Sequence, residues 1–174
     1  MYDPSEKKVL VIEDEPDVRN YLCACLEDAG FRVQSAINGA EGLEAVRHDP
    51  PDLITLDMVM PRKSGLRFMR ELRKKEEWCC IPVIVITAHA RDELGSEEVK
   101  ELNAFTTRTR PKYILEKPIR PSGLVQAIAD ILQVGLSKSG FDPAENVEGL
   151  SNSWVSDVNQ ETLDSIKDML SREK

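Results

Sequence analysis

Four strand-like segments, each delivering a polar group at its carboxyl end, constrain this chain more than any other feature. Val9-Leu10-Val11-Ile12 runs into Glu13-Asp14, and Leu53-Ile54-Thr55-Leu56 runs into Asp57. Val83-Ile84-Val85-Ile86 ends at Thr87, and the shorter Ile114-Leu115-Glu116 is closed by Lys117-Pro118. Unbroken apolar runs of this length are typical of strands buried on both faces of a parallel sheet. In such sheets the carboxyl ends of the strands form the crevice where ligands bind. Three carboxylates, a hydroxyl and an ammonium gathered there make a site for a divalent cation and a phosphoryl group.

The segments between the runs read as helices. After a first strand over 9–13, Glu15-Pro16-Asp17 places acids and a proline at a helix start. Val18, Tyr21, Leu22, Cys25, Leu26 and Ala29 then recur at helical spacing, and Gly30 stops the helix. A second strand is expected over 31–35, a helix through Ala40, Leu43 and Val46, and a third strand over 52–57. Leu66, Phe68, Met69 and Leu72 mark a helix to about Lys75, ahead of a fourth strand over 82–87. Leu94, Val99, Leu102 and Phe105 could line one face of a further helix, followed by an exposed loop over 106–111. A fifth strand over 113–116 precedes a last helix through Leu124, Val125, Ile128, Ile131 and Leu132, with Ser122 as its cap. Strands alternating with helices imply βαβ units with right-handed crossovers. The expected fold is α/β and flavodoxin-like, a doubly wound five-stranded parallel sheet of order 2-1-3-4-5 with helices on both faces.

From Gly135 the character changes. Residues 135–158 are rich in Gly, Ser, Asn and acids and read as a linker, and 159–174 as a C-terminal tail. Within the tail Leu163, Ile166, Met169 and Leu170 share one helical face, with Asn159 as a cap. So short a helix needs a docking partner to persist.

Composition narrows the function classes. The 174 residues are 41% apolar and 31% charged, as expected of a globular domain with a tail. The net charge of −8 argues against a nucleic-acid surface, which needs clustered Lys and Arg. The first residues have no apolar core like that of a signal peptide, and no apolar stretch is long enough to cross a bilayer, so a cytoplasmic location is expected. Cys23 and Cys25 are two apart on a helix and point apart, so they cannot jointly chelate a metal. With Cys79 and Cys80 they are expected to be reduced thiols, Cys25 packed inside. Trp78 is expected to be a packing residue.

Adjacent acids such as Glu13-Asp14 are common at ordinary helix starts, where they complement the helix dipole. Convergence with Asp57 changes that reading. Two like charges about 4 Å apart repel by about 4 kcal/mol at an effective dielectric near 20, so a cation is the natural neutraliser. An oxygen-only ligand set suits Mg²⁺. Asp57 can also act as a nucleophile toward phosphorus, with Thr87 donating its hydroxyl to a phosphoryl oxygen and Lys117 pairing with another.

The ordered set Val-Leu-Val-Ile-Glu-Asp-Glu-Pro, Leu-Ile-Thr-Leu-Asp-Met-Val-Met-Pro-Arg-Lys-Ser-Gly, Pro-Val-Ile-Val-Ile-Thr-Ala and Glu-Lys-Pro closely resembles a two-component response-regulator receiver domain, over residues 6–134. The resemblance implies Asp57 as phosphoacceptor, and Glu13, Asp14, Asp57 and the backbone carbonyl of Val59 as Mg²⁺ ligands. It also implies Thr87 and Lys117 as phosphoryl ligands and a cis Lys117–Pro118 bond. The implied partner is a sensor histidine kinase or phosphotransfer protein. Output would pass to a downstream protein by contact or onward phosphotransfer, with no DNA-binding domain, nucleic acid or membrane. A homodimer could form through the fourth-helix and fifth-strand face or the C-terminal helix.

The departures from the pattern are equally specific. The interval from Thr87 to Lys117 is longer than the family norm by roughly two helical turns. Ile114 stands three residues before the lysine, where many receivers carry an aromatic that swings inward on phosphorylation. Tyr113 would face the other side of the strand unless a bulge shifts the register. The expectation is a remodelled helix-four face, with signalling through its rearrangement or through the tail. His89 overlooks the phosphate in the family geometry and could tune hydrolysis, or be a surface residue with no role. Val59, apolar where a polar side chain could help place water, implies slow self-dephosphorylation. Two rival readings stand beside the switch. One is an aspartate-nucleophile phosphatase, which needs a second acid two residues after Asp57, where Val59 stands. The other is a phosphorylation-independent interaction module on the same fold.

Overall fold

The structure, a computed structural model, describes residues 2–58, 60, 65–87 and 111–135. A single 3₁₀ turn, Pro4–Glu6, leads into β1 (Lys8–Ile12), α1 (Pro16–Asp28), β2 (Arg32–Ala36), α2 (Gly39–His48) and β3 (Leu53–Asp57). Then come α3 (Gly65–Lys74), β4 (Val83–Thr87), β5 (Tyr113–Glu116) and a last described helix, here α4 (Pro121–Leu132). All strand pairs are parallel and the order is β2-β1-β3-β4-β5, as the alternating pattern implies. Among the described residues no helix is long and apolar enough to cross a membrane.

Every residue of β1, β3 and β4 is buried, which accounts for their apolar runs. The pleat divides them between two cores. Leu10, Ile12, Ile54, Leu56, Val83 and Val85 pack against α2 and α3, through Val46, Phe68, Met69 and Leu72. Val9, Val11, Leu53, Ile84 and Ile86 pack against α1 and α4, through Leu22, Leu26, Leu124 and Ile128. The sheet order reverses between β1 and β3. A right-handed chain therefore lays α1 on one face and α2 and α3 on the other.

Local chemistry sets the helix ends. Gly30, at φ 93°, ends α1 in a Schellman pattern. The Gly30 N–H donates to the Glu27 carbonyl at 2.9 Å, and the Phe31 N–H to that of Leu26 at 3.1 Å. The Asn38 carboxamide oxygen caps α2, accepting from the N–H groups of Ala40 (2.9 Å) and Glu41 (3.0 Å). A Cβ on Gly42 would lie 2.5 Å from Ile12 Cδ1 and 3.1 Å from Phe68 Cε2, so the missing side chain lets α2 approach β1 and α3 closely.

Three expectations are corrected. Ser122 is the second residue of α4; the cap position is Arg120, with Pro121 opening the helix. Proline's fixed φ suits that first position, which moves the start two residues upstream. Cys23, not Cys25, packs against the α1–α4 core, and Tyr21 is 49% exposed. The packed stripe of α1 runs through buried Leu22 and Leu26 and partly buried Val18, Cys23 and Ala29, rotated away from Tyr21 and Cys25. Trp78 is buried, as its expected packing role requires. The helix expected within 90–105, the loop over 106–110, residues 136–158 of the linker and the tail 159–174 lie outside the described residues, as do Val59 and His89.

Phe68 is fully buried where α3 meets β1 and α2. Phe68→Ala is expected to cost about 3–5 kcal/mol in a urea unfolding titration, through lost burial plus the cavity left behind. A loss below 1 kcal/mol would show that the α2–α3 layer is not packed as described.

Candidate phosphoryl-acceptor site

The parallel register brings the polar strand ends together. Ile12 is level with Leu56 and Asp57 with Ile86, so Glu13 and Asp57 leave neighbouring strands side by side where the order reverses. The ladder continues past the strands. The Glu13 N–H donates to the Ala36 carbonyl (3.1 Å), that of Met58 to Ile86 (3.1 Å), and that of Lys117 to Thr87 (2.8 Å). The Lys117–Pro118 bond is cis.

The side chains converge accordingly. Glu13, Asp14 and Asp57 each present a carboxylate oxygen within 4.8 Å of the others. Glu13 and Asp57 are buried and Asp14 is partly exposed. Lys117 Nζ lies 3.0 Å from Glu13 Oε2 and 3.2 Å from Asp57 Oδ2. The contact with Asp57 is a hydrogen bond. That with Glu13 is a charge contact poorly aligned for one, leaving Oε2 buried without a hydrogen bond. Thr87 is buried at the end of β4, tied through its carbonyl to the Lys117 backbone.

The electrostatics follow from burial. Removing the Glu13 carboxylate from water, with the negative charge of Asp57 beside it, pushes its pKa up to about 7 against the opposing pull of Lys117. Burial works against the charged form of Lys117, but Glu13 and Asp57 outweigh it and hold its pKa above the usual value. With all groups ionised, three carboxylates face one ammonium. An oxygen-only donor set of that sign, with one buried oxygen lacking a hydrogen bond, fits a hard divalent cation such as Mg²⁺.

Two supporting residues escaped the sequence reading. Arg19, one turn into α1, donates from Nη1 to the carbonyls of Glu13 (3.0 Å) and Asp14 (3.3 Å), fixing the backbone of the acidic turn. Its only sequence signal is a cation five residues after an acid. Gly65 opens α3 against the Asp57 backbone, where a Cβ would stand 2.7 Å from the Asp57 carbonyl oxygen and 3.0 Å from Met58 Cα. The register is regular across β4 and β5, with Val85 level with Ile114, so no bulge intervenes. Ile114 therefore packs on the α2–α3 side and Tyr113 on the α1–α4 side.

The chain is similar to known proteins over most of the described fold. A family sequence model described as the response regulator receiver domain matches residues 9–129. The chain is 30% identical over 125 residues to protein PilH of Pseudomonas aeruginosa, covering 72% of this chain and 97% of that one. It is 29% identical to the phosphate regulon transcriptional regulatory protein PhoB of Escherichia coli, over 83% of this chain but 59% of PhoB. The chain thus spans about three fifths of the length of that relative. The chemotaxis response regulator CheY4 of Vibrio cholerae superposes with a TM-score of 0.63 at 26% identity, covering 72% of this chain and 98% of the other.

The raised Glu13 value fixes the sign of a pH effect. A carboxyl whose folded pKa exceeds its ordinary 4.5 stabilises the fold fully below that value and loses the contribution as pH rises to about 7. Metal-free protein should therefore lose stability over that window in thermal melts, and Glu13→Gln should flatten the loss. Identical slopes for the two proteins would contradict the assignment.

Proposed function

The chain belongs to the response regulator receiver domain family, and from that premise we propose that it is a phosphorylation-controlled switch whose phosphoacceptor is Asp57. The observation that carries this reading is the pairing of Asp57 with Lys117 inside an acidic cluster. A phosphohistidine on a sensor kinase or phosphotransfer protein is the donor. The Asp57 carboxylate oxygen attacks phosphorus, the P–N bond breaks, and the imidazole leaves and regains its proton. Glu13, Asp14 and Asp57, with the Val59 carbonyl, would hold Mg²⁺, which when bound neutralises charge on the transferring oxygens.

The chain's own residues do the rest. Gly65 keeps the ground beside the Asp57 backbone clear, and Arg19 holds the acidic turn in place. The new group adds a charge of about −1.5 to −2 and three acceptor oxygens. Lys117 Nζ, already 3.2 Å from Asp57, transfers its contact to a phosphoryl oxygen, and the Thr87 hydroxyl donates to another. Because the Thr87 carbonyl accepts from the Lys117 N–H, displacement of either loop moves both.

Receiver domains are signalling domains rather than turnover enzymes, and the output here is assigned to protein contact or onward phosphotransfer. Ile114 occupies the third position before Lys117, where it packs in the α2–α3 core. A swinging aromatic there is thus replaced by rearrangement of the 90–116 segment or the tail. Val59 disfavours the phosphatase reading, since that chemistry needs an acid at this position. The same valine supports slow self-dephosphorylation.

Acetyl phosphate with Mg²⁺ should label the protein stably, Asp57→Asn should abolish the label, and backbone amide shifts over 90–116 should change with it. Label persisting in Asp57→Asn would refute the phosphoacceptor. A wild-type protein that never labels would favour the phosphorylation-independent module. Unchanged shifts would place the output elsewhere, and release of the label within seconds would contradict the role given to Val59.

A further inference from the structure

A second group of reactive side chains stands at the amino end of β4, at the opposite edge of the sheet from Asp57. Cys79 and Cys80 lie in the turn between α3 and β4, Cys79 partly buried and Cys80 exposed, both as thiols. Their sulfurs are 3.3 Å apart. The Cys79 S–H also faces the Glu76 carbonyl, with Sγ 3.2 Å from that oxygen. Under the turn, Arg73 Nη1 donates to the carbonyls of Ile81 (2.9 Å), Cys79 (3.0 Å) and Trp78 (3.4 Å). The guanidinium is thus fixed on the backbone that carries both thiols. The phosphoryl chemistry uses none of these groups.

We propose that Cys79 and Cys80 form a reversible two-electron thiol–disulfide couple, a modification site oxidised by hydroperoxides. Three observations carry it. The turn sets both sulfurs on one side, so closure from 3.3 Å to a bond of about 2.05 Å needs little movement. A fixed cation beside a partly exposed thiol is the setting that favours the reactive thiolate. Arg73 supplies that cation, held 3.0 Å from the Cys79 carbonyl on the turn that carries both thiols. Finally, the Cα atoms of adjacent residues are about 3.8 Å apart, short of the roughly 4.4–6.8 Å usual for disulfides. The bond is therefore strained and easily reduced, which suits a reversible modification rather than a structural link.

The chemistry assigns each sulfur a part. Exposed Cys80 attacks as the thiolate, breaking the O–O bond of the hydroperoxide. One oxygen stays on Cys80 as a sulfenic acid, and the other leaves as alkoxide or hydroxide and takes up a proton. Cys79, which keeps its proton in the contact with Glu76, then attacks the Cys80 sulfur. The S–S bond forms, the S–O bond breaks, and the Cys79 proton leaves with the hydroxide as water. The thiols lose two electrons, which the peroxide gains.

Full-length protein treated with hydrogen peroxide tests this. Trp154→Phe leaves Trp78, next to Cys79 and buried, as the one tryptophan reporter. The expected result is a peptide lighter by two hydrogens, a fall in Trp78 emission, and recovery of both with dithiothreitol. In Cys79→Ser the reaction should stop at a sulfenic acid on Cys80, trapped by dimedone. Retention of both thiols under peroxide that consumes free glutathione, or disulfides found only between chains, would overturn the proposal.

Discussion

Lys117 Nζ sits between two buried carboxylates, 3.0 Å from Glu13 and 3.2 Å from Asp57, and the carboxyl edge of the sheet depends on that placement. Buried carboxylates on neighbouring strands repel by several kcal/mol unless something neutralises them. One ammonium cannot balance Glu13, Asp14 and Asp57 together, and an excess of two negative charges remains when all are ionised. Glu13 answers by holding a proton up to about pH 7. A divalent cation would answer the same excess without the proton. The site is therefore built around charge that it does not itself compensate.

That arrangement is a direct consequence of a parallel sheet. Each strand runs in the same direction, so each apolar run ends at the same edge and its terminal polar residue arrives there. Regular register does the alignment: Glu13 follows Ile12, which is level with Leu56, and Lys117 follows Glu116, which is level with Thr87. Backbone bonds then lock neighbouring tips, most clearly the Lys117 N–H on the Thr87 carbonyl. β4 and β5 end in register, so this edge is continuous across them.

The same logic explains what was legible in the sequence. The acids, the threonine and the lysine announced themselves because each ends a strand-like segment, and for β1, β3 and β4 burial on both faces writes that into composition. Arg19 and Gly65 did not, because their roles depend on the path of the chain after the strand rather than on any local period. The Cys25 expectation failed for a related reason. A stripe at helical spacing has two possible edges, and only tertiary packing decides that partly buried Cys23 joins the margin of the core while Tyr21 and Cys25 do not. Ser122 was misplaced because Pro121 outranks it as a helix opener. The choice between Tyr113 and Ile114 needed the register itself, which is regular and sets Ile114 toward α3.

A crystal structure grown with Mg²⁺ and beryllium fluoride, a stable mimic of an aspartyl phosphate, tests the central claim most directly. The account predicts the fluoride adduct on Asp57, with Lys117 Nζ and the Thr87 hydroxyl on its fluorine atoms and the Glu13 carboxylate turned from Lys117 to the metal. An adduct elsewhere, or Lys117 still held by Glu13 with the metal bound away from the three carboxylates, would contradict it.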